Sequence, residues 1–272
     1  QDQRLLLSAR MDENRDSDGD SALRSLIEGD ATLAMIAYSL QGESVPLSDL
    51  TTDPARVRNL SEFVRSSPLA GSELGSAPAI VREPLLSSYV DGLTFVANLH
   101  GDGGFSRINR VHADPPQSTE QILHPERFVH HDAPQRLRLR AAGKALGGQY
   151  TLWHEDTLGE LEMRIYFAQG SAEPLAARAA QGWGGDRLYA YRSAGGQMAV
   201  VWLSTWDTQR EADEAQAAAE QVLVSAPAGA LVARSGTALL IARGVPTELQ
   251  VGVREQFTDW AKARDAAPAG AD

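Results

Sequence analysis

The chain contains no cysteine. Disulfides, thiolate catalysis and structural zinc sites of the cysteine type are excluded with it. No apolar run approaches the roughly 18 residues that a membrane-spanning helix needs. No GxSxG elbow exposes a serine nucleophile, and no glycine-rich loop ends in the Lys-Ser/Thr of a phosphate cradle. Gly182 to Arg187, GWGGDR, is glycine-rich but leads into an expected strand. It reads as a tight connection in which glycines allow positive φ, Asp186 and Arg187 secure the turn and Trp183 packs it down. Positive charge is also scarce, with 25 Lys and Arg against 36 Asp and Glu, a formal charge of -11 and a pI near 5.0. Phosphate contacts need clustered cations, so a nucleic-acid role is disfavoured. The one basic concentration, Arg136 to Arg140, alternates with leucine and predicts an edge or half-exposed strand with a charged outer face.

What is present is an ordinary globular composition, 43% hydrophobic and 22% charged over 272 residues, enough for one large domain or two modest ones. Up to about residue 133 the spacing is helical. Helices are expected over 21–40, 54–64 and 84–100, with Gly101 to Gly104 ending the last, then short helices over 105–112 and from Ser118. Asp53-Pro54 and the Ser118 to Gln121 box mark two of the starts. Met11 to Asp20 is acidic and rich in turn formers, and is read as a solvated loop rather than a calcium site, since no EF-hand register fits it. Residues 66–78 read as a surface loop. From 134 to 265 the pattern is mixed. Strands are expected over 135–140, 149–153, 187–192, 198–205, 230–234 and 238–243, with hairpin turns at Gly195-Gly196 and Ser235-Gly236. Helices over 156–168, 173–181, 207–224 and 247–263 complete an α+β fold, and 266–272 should fray.

The stretch most suited to chemistry is Ser21 to Leu40, SALRSLIEGDATLAMIAYSL. Leu23, Leu26, Ile27, Leu33, Ala34, Ala37 and Leu40 form an apolar stripe that includes Asp30. Glu28 points the other way, toward Ala31, Met35 and Tyr38, so the helix is apolar nearly all round from residue 31 and is expected to be buried. A buried carboxylate needs a partner, because stranding one in a core costs about 3–5 kcal/mol. Arg24, one turn back, is the plain partner for Glu28.

LIEGDAT, residues 26–32, resembles the EGxAT segment of a family of bacterial and archaeal zinc metallopeptidase-like proteins. In that family the segment follows an HExxHALQDQ helix, and Gln1-Asp2-Gln3 looks like the end of that run. Ser88-Tyr89-Val90-Asp91-Gly92, Pro115-Pro116, Ser118 to Pro125, Leu158-Gly159-Glu160, Gly182 to Arg187 and Trp206-Asp207-Thr208 stand in the family order. The resemblance implies a helical zincin-like first half and a gluzincin site in which Glu28 is the third zinc ligand. Asp30 or Thr32 would take the outer position that orients a zinc-bound histidine, and Tyr89 and His124 are the candidates for stabilising an oxyanion. It further implies a peptide or protein substrate, an HExxH segment missing from a chain that is a fragment or processed product, and a location outside the cell or at its envelope, although composition is equally open to the cytoplasm.

A gluzincin needs two histidines one helical turn apart with a glutamate between them. The six histidines, at 100, 112, 124, 130, 131 and 154, contain no such pair. His154-Glu155 opens like HExxH, but position 158 is leucine. The chain alone is therefore expected to be inactive, with zinc held only in the full-length parent. The other reading is a non-catalytic binding or structural protein whose EGDAT helix holds an ion pair.

Overall fold

In the computed structural model, residues 16–43, 45–66, 75–139, 142–224 and 229–266 are described. The expectations for residues 1–15, 67–74, Arg140 and 267–272 lie outside them. The fold is α+β, with helices in the first half and an antiparallel sheet in the second. The chain divides into two compact units at 133/134.

Among the described residues the first unit holds α1 (Ser17–Ser39), α2 (Leu47–Thr51), α3 (Pro54–Arg65), α4 (Ala79–Val111), α5 (Thr119–Leu123) and α6 (Pro125–Val129). Helix α1 begins four residues earlier than its pattern predicts. Asp16 is its cap, accepting from the Gly19 amide at 3.0 Å. Asp18 is therefore no solvated loop residue: it is buried and accepts from both the amide and the hydroxyl of Thr119, at 2.7 and 2.6 Å. Asp53 caps α3 with Pro54 behind it, and Ser118 caps α5. Helix α4 also starts early, at Ala79, and is two helical runs broken where the glycines predict, Gly103 and Gly104 leaving helical geometry before the short run to Val111. Leu26 and Leu33 of α1 meet Leu93, Phe95, Val96 and Leu99 of α4 in the core of this unit.

The second unit is a five-stranded sheet with helices on both faces. After α7 (Ala142–Ala145) come β1 (Tyr150–Asp156), α8 (Gly159–Phe167), α9 (Glu173–Ala180), β2 (Trp183–Ser193), β3 (Met198–Trp206), α10 (Gln209–Leu223), β4 (Leu231–Ser235), β5 (Ala238–Arg243) and α11 (Thr247–Ala266). The strand order is β1-β2-β3-β5-β4, all antiparallel. Alternation along the strands builds two cores. Leu240 and Ala242 point with Val201 and Leu203 toward Phe257 of α11, whereas Leu239 and Ile241 point with Trp202 and Trp206 toward Phe167 of α8 and Ala215 of α10. Both hairpins turn where glycines predict, at Gly196 and Gly236, each with positive φ.

Residues 135–139 are not the predicted strand. Leu137 and Leu139 are buried and Arg136 and Arg138 exposed, as the alternation requires, but no ladder forms. Isolated bonds replace it: the Gln135 amide donates to the Gly184 carbonyl at 2.8 Å, and the Leu139 amide to the Tyr189 hydroxyl at 2.9 Å. Strand β1 is an edge strand with Thr151 to Glu155 exposed, and its register slips at Trp153, between Leu152 and His154.

Candidate functional site

Glycine sets the geometry of the EGDAT helix. A Cβ on Gly29 would lie 2.2 Å from the Gly92 carbonyl oxygen, and one on Gly92 would lie 2.2 Å from that of Ser25. Backbones of α1 and α4 therefore touch where LIEGDAT crosses SYVDG, and no other residue fits at either position. This crossing fixes Glu28, the residue before Gly29, beside Tyr89, one turn before Gly92.

Each member of the motif faces a different task. Asp30 turns inward, where its carboxylate lies 2.9 Å from Nε2 of His112, and both side chains are buried. The Thr32 hydroxyl donates to the Glu28 carbonyl oxygen at 2.7 Å, so it touches Glu28 through the backbone of their own helix. Glu28 is half-buried. Its carboxylate faces the Tyr89 hydroxyl, and partial burial followed by this negative charge raises the Tyr89 pKa, while Arg24 nearby acts the other way. Tyr89 is 43% exposed, so the Glu28–Tyr89 pair is open to the outside.

The expected burial of α1 beyond residue 31 holds on one side only. Thr32 and Leu33 are buried, but Ala31, Ala34, Met35 and Tyr38 are exposed. The core of the first unit takes one stripe of the helix and leaves the opposite stripe uncovered.

His124 stands between α5 and α6, with Nδ1 3.9 Å from the Glu126 carboxylate. Glu28 and Tyr89 are thus brought together, and Asp30 is directed elsewhere. Among the described residues no three His, Cys, Asp or Glu side chains group as a metal site would require. Glu28 by itself offers one anionic oxygen donor in an accessible position, which fits one place in a four-coordinate zinc shell. His112 was missed by pattern reading. Its signal was a lone histidine closing a helical segment, which does not identify a partner 82 residues away.

His154 lies on the exposed edge strand β1, with Nε2 3.6 Å from Asp156 and its ring against Trp153. Its segment is a strand, so the one-turn spacing of a helical HExxH pair does not apply to it.

The family described as a domain of unknown function (DUF8575) matches residues 149–268, within the second unit and apart from Glu28 and Tyr89. No curated protein and no solved structure matches the chain.

Proposed function

We propose that the first unit is part of a zinc metallopeptidase-like protein in which Glu28 is one metal ligand. Two histidines of an HExxH helix, a motif that this sequence does not contain, would be the others. The observation that supports this reading is the division of tasks within EGDAT. Gly29 makes the helix crossing, Asp30 is engaged by His112 and Thr32 by its own helix, which leaves Glu28 as the outward carboxylate of the motif.

When bound, zinc would supply a coordinated water with a pKa lowered to about 7 and a Lewis acid for the peptide carbonyl. The chain's own residues do the positioning. The α1–α4 crossing fixes the Glu28 backbone, and the Tyr89 hydroxyl lies against its carboxylate. Of the two oxyanion candidates, Tyr89 is the one beside Glu28. A peptide or protein substrate and a location outside the cell or at its envelope belong to the same proposal. A separate observation favours a non-catalytic binding or structural role: the EGDAT helix does hold a buried pair, Asp30 with His112.

The test is zinc content and casein hydrolysis of the protein carrying its native N-terminus, with and without Glu28→Gln. The expected result is one zinc per chain with activity. The substitution should weaken zinc binding beyond the roughly 10- to 100-fold that loss of an outer hydrogen bond causes. Absence of zinc from the unsubstituted protein would overturn the proposal and leave the buried carboxylates to packing.

A further inference from the structure

The uncovered stripe of α1 has a regular composition. Arg24, Glu28, Ala31, Met35 and Tyr38 follow one another at alternating steps of four and three residues, the seam that a helix offers to a second helix. Met35 is 52% and Tyr38 72% exposed. From Gly29 to Gly42 the only charged residue is Asp30, which is buried. An outward helix face is ordinarily charged, so this one departs from the norm. On α4, Val81 and Leu85 stand two turns and one turn before Tyr89 on the same exposed side, adding to the apolar surface.

We propose that this face is a self-association surface, occupied by α1 of a second copy of the chain running antiparallel about a two-fold axis at Ala31. The stripe complements itself in that register. Ala31 meets its own equivalent, and its small side chain lets the two helices approach. Arg24 and Tyr38 lie seven residues to either side of Ala31, so each Arg24 faces Tyr38 of the second copy and its guanidinium can lie over that ring. No other charge falls along the seam except Glu28, which keeps its own Arg24 and Tyr89 beside it. The two-fold arrangement closes on itself and gives a dimer rather than a filament.

Magnitudes place this dimer in the weak class. The seam from Arg24 to Tyr38 is about 21 Å long and one helix, about 10 Å, wide, so it buries less than the roughly 800 Å² per partner that stable complexes use. Each copy carries a charge of -11, and the two repel each other. Added salt screens this repulsion and leaves the apolar contact, so association strengthens with ionic strength. The second copy covers Glu28 and Tyr89, which makes dimer formation and any ligand at Glu28 mutually exclusive. The proposal rests on the exposed seam and not on the zinc reading, and zinc held at Glu28 would exclude the dimer.

The absence of cysteine makes the test direct, because Ala31→Cys introduces a single thiol. Sedimentation velocity of the unsubstituted chain, from low micromolar concentration upward, should show a monomer–dimer equilibrium that shifts toward dimer as salt is raised. Oxidised Ala31→Cys should form a covalent dimer several-fold faster than Ala172→Cys, an exposed position on the second unit. Met35→Glu and Tyr38→Glu should be monomeric with unchanged circular dichroism. A chain that stays monomeric throughout would overturn the proposal. So would a dimer indifferent to both glutamate substitutions, or cross-linking equal at the two cysteine positions.

Discussion

At the scale of single residues, two positions carry consequences out of proportion to their size. Gly29 has the carbonyl of Gly92 where a methyl group would go, and backbone cannot step aside as a flexible side chain does. Gly29→Ala should therefore lower stability by about 1–3 kcal/mol through overpacking, despite the gain of about 1 kcal/mol in helix propensity, as read by thermal unfolding. Separating the helices should also move the Tyr89 hydroxyl from Glu28, and its pKa should fall back toward the ordinary phenol value in an absorbance titration. The second position is Tyr191. Burial first, then the neighbouring Tyr189 and Glu155, push its pKa from 10.0 up to about 12. The folded chain keeps this proton while the unfolded chain releases it near pH 10. Stability is therefore full below that pH and falls between pH 10 and 12, by about 2–3 kcal/mol at most. Denaturant titrations across this range should show the slope, and Tyr191→Phe should flatten it.

At the scale of elements, what could be read in advance was local. Asp53-Pro54 stated a helix start, Gly195-Gly196 and Ser235-Gly236 stated turns, and the three- and four-residue spacing of leucines stated α1 and α4. What could not be read was the identity of distant partners. The start of α8 shows this, because Leu158 supplies no side-chain cap and the motif gives no hint of one. The cap comes from Asp186 on β2, which accepts from the Leu158 amide at 3.1 Å and from the Trp202 indole at 2.6 Å. Asp186 does not secure a turn as its motif suggested: Trp183 to Arg187 already belong to β2, and Asp186 caps a helix start 28 residues away in the chain. Asp186→Ala would leave buried donors of both a strand and a helix without their acceptor, and should lower stability by about 3 kcal/mol, with Asp186→Asn milder. Chemical denaturation of the two variants gives the comparison. The same limit explains residues 135–139, whose alternation was legible although the hydroxyl of Tyr189 and the carbonyl of Gly184 replaced a neighbouring strand.

At the scale of the whole molecule, the order of a helical half followed by a mixed half was legible because hydrophobic period changes near residue 134. The candidate site was legible only in part. Glu28 and Tyr89 are named by their motifs, and their meeting depends on Gly29 and Gly92 lying against each other, a fact of three dimensions. Burial of α1 was over-read, since a helix apolar on all sides can still leave one stripe for something other than its own core. The sheet of the second unit poses a different problem. An open sheet ends in strands whose unpaired amides and carbonyls can recruit further chains, and β1 is such an end, exposed along most of its length. Its slip at Trp153 and the adjoining charges of Glu155 and Asp156 spoil the regular, neutral ribbon on which fibre growth depends. The same seven-residue edge strand thus also acts as the unit's brake on polymerisation.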